Sequence, residues 1–182
     1  MRQLRTPQLE LRAVTASDIG DIYALNSDPR VWTHLPSRVH TSREQTTAQV
    51  ARIVAAWEAD GLSYWAARLP DGTFAGVGGC SITAAVAWNV YYRFRPEVQG
   101  RGLATELVSD ARAAAVTVRP DLPVTALLLE HNLASKAVAE KSGLHLAWRG
   151  PDVGNPDPAA IRLVYADRDL TPDVLGKLLA SH

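Results

Sequence analysis

The residues best suited to chemistry lie in one run, Phe94-Arg95-Pro96-Glu97-Val98-Gln99-Gly100-Arg101-Gly102-Leu103-Ala104-Thr105. Gly100 and Gly102 carry no side chains, so a ligand can approach the backbone closely there. The pattern before the run reads as a strand, and a helix begins near Gly102. A helix start presents N–H groups without intrahelical partners and a partial positive charge. Together these make an anion site suited to phosphate or pyrophosphate, to which Arg101 adds a side-chain charge. The glycine spacing alone fits a ligand-free turn equally well. No Gly-Lys-Ser/Thr follows, which excludes a P-loop, and the third glycine of a dinucleotide fingerprint is missing.

Further candidates follow downstream. Asn132 is a good N-cap for a helix starting at Leu133. Ser135, in the first turn of that helix, can bond backbone or meet a ligand. Glu130 and His131 end an apolar strand, as solvated polar residues or as a general base. Upstream, Trp32 and His34 sit in an irregular stretch, Arg30–His40. Cys80 is the single cysteine, so no intramolecular disulfide forms, and its apolar setting reads as a small buried residue. Gly76-Val77-Gly78-Gly79 reads as a bulge or as a site of close backbone approach.

The elements that must hold these residues alternate in a recognisable order. Strand patterns cover Gln8–Val14, Leu62–Leu69, Thr73–Thr83, Ala87–Phe94, Val124–Glu130, Leu144–Arg149 and Ile161–Asp167. Helix patterns start at Ser17 or Asp18 and cover Thr41–Asp60, Gly102 to about Val118 and Leu133–Ser142. Thr41 with Glu44 predicts a capping box, and Val50, Ile53, Val54 and Trp57 form the apolar stripe of that helix. Thr171 with Pro172 predicts a final helix. The order is a mixed sheet with helices on its faces.

Lys+Arg and Asp+Glu both number 19, so there is no basic excess for nucleic acid or a membrane surface. The chain has no apolar run of roughly 18 residues and no secretory h-region, which makes the cytoplasm the expected location.

On these residues the chain resembles the GNAT superfamily of N-acetyltransferases. Gln99-Gly100-Arg101-Gly102-Leu103-Ala104 matches its Q/R-x-x-G-x-G/A signature in the right strand–loop–helix setting. Asn132-Leu133-Ala134-Ser135 and Ala139-Glu140-Lys141-Ser142-Gly143-Leu144 resemble the second block, closest to the ribosomal-protein-alanine N-acetyltransferase branch. The resemblance covers nearly the whole chain and implies one α+β domain over residues 1–182. It implies a mostly antiparallel sheet with one splayed parallel pair, Ala87–Phe94 beside Val124–Glu130.

The resemblance further implies an acetyl-CoA-dependent transferase without metal, acting on a primary amine. Gln99, Gly100, Arg101, Gly102, Leu103, Ala104 and Thr105 would hold the coenzyme pyrophosphate. Tyr92 and Phe94 would pair through their backbone with the pantetheine arm, and Asn132 would contact it. Ser135 would assist the leaving thiolate, a modest task for a thiol of pKa about 8.5. Residues 136–141 contain no tyrosine, so the serine variant is the one available. Glu130 is the candidate base, and Trp32 and His34 the candidate acceptor contacts. An α-amine, at roughly 7.7–8.0, needs less help from a base than a lysine at about 10.4. A protein or peptide N-terminus is therefore the leading acceptor. A small-molecule amine and a non-catalytic acyl-CoA-binding module remain the alternatives, and some relatives dimerise. Asp152 and Asp157, in the connector before the last strand, read as a solvated loop or as a cationic-acceptor contact.

Overall fold

The computed structural model describes residues 1–181. The strands are β1 (Gln3–Arg5), β2 (Glu10–Ala13), β3 (Tyr64–Arg68), β4 (Phe74–Thr83), β5 (Ala87–Phe94), β6 (Val124–Leu129), β7 (His145–Pro151) and β8 (Ile161–Ala166). The helices are α1 (Ile19–Asn26), α2 (Arg43–Asp60), α3 (Leu103–Val118), α4 (Leu133–Lys141) and α5 (Pro172–Ala180). Among the described residues one sheet of eight strands forms, in the order β1-β2-β3-β4-β5-β6-β8-β7. Every neighbouring pair is antiparallel except β5 and β6. A parallel pair needs a crossover, and α3 supplies it. No described helix is long and apolar enough to cross a membrane.

The expected mixed sheet and helix positions are present. The sequence reading lacks one strand: β1 is exposed along its length, and three residues with Leu4 as the single apolar one are too short a pattern to read. It is held by pairing with β2 and by Trp65, whose indole N–H donates to the Met1 carbonyl at 3.0 Å. The α2 capping box also shifts by one residue. Ser42 and Gln45 form it, and the Gln45 amide oxygen accepts from the N–H of Thr41 at 2.8 Å and of Ser42 at 3.2 Å. The run Thr41-Ser42-Arg43-Glu44-Gln45 contains two overlapping boxes, and the buried stripe Val50, Ile53, Trp57 selects the second.

Trp65, Trp88 and Tyr165 are among the largest fully buried side chains and centre the core. Each such ring removes on the order of 150–250 Å² of surface from water, the dominant stabilising term here. The β4 glycines serve packing. A Cβ on Gly78 would sit 2.7 Å from the Tyr91 carbonyl oxygen and 2.8 Å from Leu107 Cδ2. Their absence lets β5 and α3 close onto β4, which fixes both flanks of the Gly100–Gly102 loop.

Candidate active site

The β5–β6 ladder contains Trp88↔Val124 and Asn89↔Thr125 and then stops. Side chains close the fork at that point. Thr125 Oγ1 donates to the Trp88 carbonyl at 2.9 Å, and the Leu127 N–H donates to Asn89 Oδ1 at 3.3 Å. Asn89 therefore takes the bond that the next rung of β5 would have made. The Trp88 N–H donates toward β6, to the Pro123 carbonyl at 2.9 Å. Strand alternation directs the backbone of Val90, Tyr92 and Phe94 the same way, into the gap.

The loop beyond β5 ends at Gly102, whose φ of 82° is the left-handed conformation a glycine adopts freely. Val98 and Gln99 N–H groups are taken within the preceding turn, but among the described residues no protein acceptor takes those of Gly100 through Thr105. A Cβ at Gly100 or Gly102 would meet nothing within 4 Å. Unpartnered amides facing open space at a helix N-terminus are the donor set an anion requires. The Gln99 side chain turns inward and clamps the loop, its Nε2 donating to the Phe94 carbonyl at 2.9 Å. Arg101 is exposed and does not line the cleft.

The cleft, of about 650 Å³, runs from this loop to α4 and is lined by Gly100, Gly102–Thr105, Tyr92, Phe94, Asn132 and Ser135. A second cavity, of about 230 Å³, opens between β5 and β6 and shares Tyr92, Asn132, Ser135 and His34 with the first. Asn132 caps α4, its Oδ1 accepting from the Ser135 N–H at 3.1 Å, a contact typically contributing about 1 kcal/mol. The Tyr92 hydroxyl donates to the Ser135 carbonyl at 3.3 Å, which ties β5 to α4. Ser135 Oγ makes no hydrogen bond to the described residues, although the residue lines both cavities.

Two expected site residues stand apart. Glu130 lines neither cavity; its carboxylate is gripped by Arg149 at 2.7 and 2.8 Å and held below the usual carboxylate range. Trp32 is buried, with its indole N–H donating to the Asn26 carbonyl at 2.8 Å. It supports the wall and does not line it. Asp152 is not a solvated loop residue: its side chain is nearly buried and pairs with Arg162. Cys80 is fully buried, and burial pushes its thiol well above the ordinary range, which leaves no accessible thiolate. Sequence reasoning missed Asn89 and Arg93. Asn89 at a strand interior was the one legible signal, since asparagine is depleted there.

His34 stacks on Trp32 with ring centres 6.3 Å apart and lines both cavities. Burial, then the positive charge of Arg93, then His131, push its pKa from 6.5 down to about 4. The imidazole is therefore neutral at pH 7. Its folded pKa lies below its unfolded value, so its contribution to stability is intact above pH 6.5 and is lost as pH falls toward about 4. Urea midpoints measured across that window should fall less steeply in His34→Gln than in the wild type. Parallel slopes would mean that His34 does not titrate with folding.

A family model, the acetyltransferase (GNAT) domain, matches residues 8–145, a span holding the fork, the loop and α4. The chain belongs to the GNAT acetyltransferase family. A search of curated proteins finds no match. Solved structures share the fold. RimL, a ribosomal L7/L12 α-N-protein acetyltransferase in complex with coenzyme A, aligns with TM-score 0.73 and 22% identity over 91% of this chain and 96% of its own. A Salmonella typhimurium acetyltransferase that modifies the N-terminal serine of ribosomal protein L7/L12 aligns with TM-score 0.73 and 21% identity, over 91% and 97% of the two chains. The ribosomal-protein-S5-alanine acetyltransferase of Vibrio fischeri gives TM-score 0.75 and 16% identity, over 93% and 99%. In GNAT terms the fork is the splayed strand pair, and the loop with its unpartnered amides is the family signature.

Proposed function

We propose that this GNAT protein transfers the acetyl group of acetyl-CoA to a primary amine, foremost the α-amine of a protein or peptide N-terminus. The observation carrying this reading is the open fork. The β5 backbone from Val90 to Phe94 faces a gap that leads from the anion loop to Ser135. Amides of Gly100–Thr105 hold the pyrophosphate, supported by Gln99 through its clamp on the loop. The backbone of Tyr92 and Phe94 pairs with the pantetheine arm, and the free side-chain amide of Asn132 contacts it.

Held in this register, the thioester carbonyl meets β5 N–H groups, which steady its oxygen as negative charge develops. The unbonded Ser135 hydroxyl protonates the sulfur as the C–S bond breaks, and it regains a proton, through water, from the amine nitrogen that has bonded to the acetyl carbon. Fixing both reactants at contact distance contributes several kcal/mol to lowering the barrier. Glu130, bound to Arg149, is poorly placed as a base. An acceptor already partly neutral at pH 7, such as an α-amine, fits a site with so little base assistance. The 230 Å³ cavity admits a chain terminus more readily than a bulky substrate. The ribosomal-protein acetyltransferases named above support the same choice of acceptor, and a cytoplasmic location agrees with it.

Release of coenzyme thiol in the presence of N-terminal peptides and a panel of small amines tests the proposal. Thiol release with acetylated peptide as product is the expected result. Transfer to small amines alone would move the acceptor class. Coenzyme binding with no transfer to any amine would leave an acyl-CoA-binding module.

A further inference from the structure

Arg93 is a buried cation with no counter-charge. Only 8% of its surface is exposed. Its Nε donates to the Tyr91 hydroxyl at 3.0 Å and its Nη1 to the Val31 carbonyl at 2.6 Å, and the guanidinium lies 3.2 Å from the centre of the Trp32 ring. None of these partners is a carboxylate, and among the described residues none forms an ion pair with it. Nη2 makes no hydrogen bond and is not sealed from solvent. Arg93 lines both cavities, so the solvent it meets lies where the cleft and the β5–β6 gap join.

A guanidinium removed from water without a counter-ion is costly, and an anionic ligand would offset that cost. The rest of the cavity does not neutralise it. Asp152 is taken by Arg162, Arg38 is exposed on the lining with no ion pair, and His34 is kept neutral. The whole chain has equal acid and base counts, 19 of each, so this positive excess is local. Arg93 lies on the face of β5 turned away from α4. It shares the β5 face of Tyr91, which stacks on Tyr64 at 4.9 Å, whereas Tyr92 reaches α4 from the opposite face.

We infer that the amine acceptor carries a carboxylate beside its amine, and that Arg93, with Arg38 at the rim, binds that carboxylate. The inference rests on the acetyl-transfer reading and narrows its substrate class. A planar fork with Nη2 free fits a carboxylate oxygen, and an arginine already stacked on an aromatic ring loses little freedom on binding it. The carboxylate has two sources, the α-carboxylate of a free amino acid or an acidic side chain at the start of a peptide.

Matched acceptors separate the sources: free glutamate against glutamine α-amide, and peptides beginning with Asp or Glu against the same peptides beginning with Asn or Gln. In at least one arm the carboxylate member should show about tenfold higher kcat/KM, the size of one charge-assisted contact. Calorimetric titration of the coenzyme-free protein should show the same ranking. Arg38→Gln, at an exposed position, should shrink the ratio, and Arg93→Lys should bring it near one. Equal rates within both arms, with acetyl transfer intact, would overturn the inference and leave the transfer reading standing. Absence of transfer to every acceptor, with equal binding of each pair, would overturn both.

Discussion

Gly102→Glu is expected to abolish coenzyme binding in a protein that still folds. The free protein has room for the new side chain, because a Cβ at this position meets nothing within 4 Å. The cost is conformational: φ is 82°, and a non-glycine residue there loses roughly 1–2 kcal/mol. A domain with a margin of roughly 5–15 kcal/mol survives that. The anion site does not. The glutamate places a carboxylate among the amides of Gly100–Thr105, fills the space a diphosphate would occupy, neutralises the positive end of α3 and repels the incoming anion. Calorimetric titration with acetyl-CoA should show a loss of at least about a hundredfold, near 2.7 kcal/mol. Gly102→Ala carries the backbone strain without the charge and should retain measurable binding. Unchanged affinity in Gly102→Glu, with the fold verified by circular dichroism, would mean that this loop does not hold the coenzyme.

Ser135→Ala separates chemistry from binding. The hydroxyl makes no bond within the protein, so its removal disturbs neither the Asn132 cap nor the Tyr92 contact, which use the Ser135 backbone. Turnover should fall by about a hundredfold, the low end for loss of a proton donor, because a thiolate is a competent leaving group. Coenzyme affinity should stay within about threefold, less than 0.7 kcal/mol. Equal losses in kcat and affinity would assign the hydroxyl a structural part and leave the departing thiolate to solvent or to Tyr92.

Much of this architecture could be read from local patterns. The stripe Val50, Ile53, Val54 and Trp57 defined α2, although Val54 stays exposed, and the paired glycines after an alternating strand placed the loop at the head of α3. Asn132 before an apolar-periodic stretch marked the start of α4. The features that escaped depend on partners distant in sequence. β1 is three exposed residues held by β2 and Trp65. Glu130 looked available until Arg149, on β7, closed on it. Trp32 looked like a pocket wall but donates its indole proton to the α1 carbonyl of Asn26. Arg93 was one arginine among many until folding enclosed it without a carboxylate. The splay itself came from family resemblance. The contact that ends the ladder, Asn89 substituting for a rung, needs the register of two strands that Leu103–Val118 separates in the chain.

An unsatisfied strand edge at the rim of a sheet welcomes any extended chain, which is why rims invite aggregation. Here the bare edge lies indoors, with intact strands continuing on either side of the crack. The crack thus keeps a sticky surface out of reach of neighbouring molecules while its donors stay free on the inside.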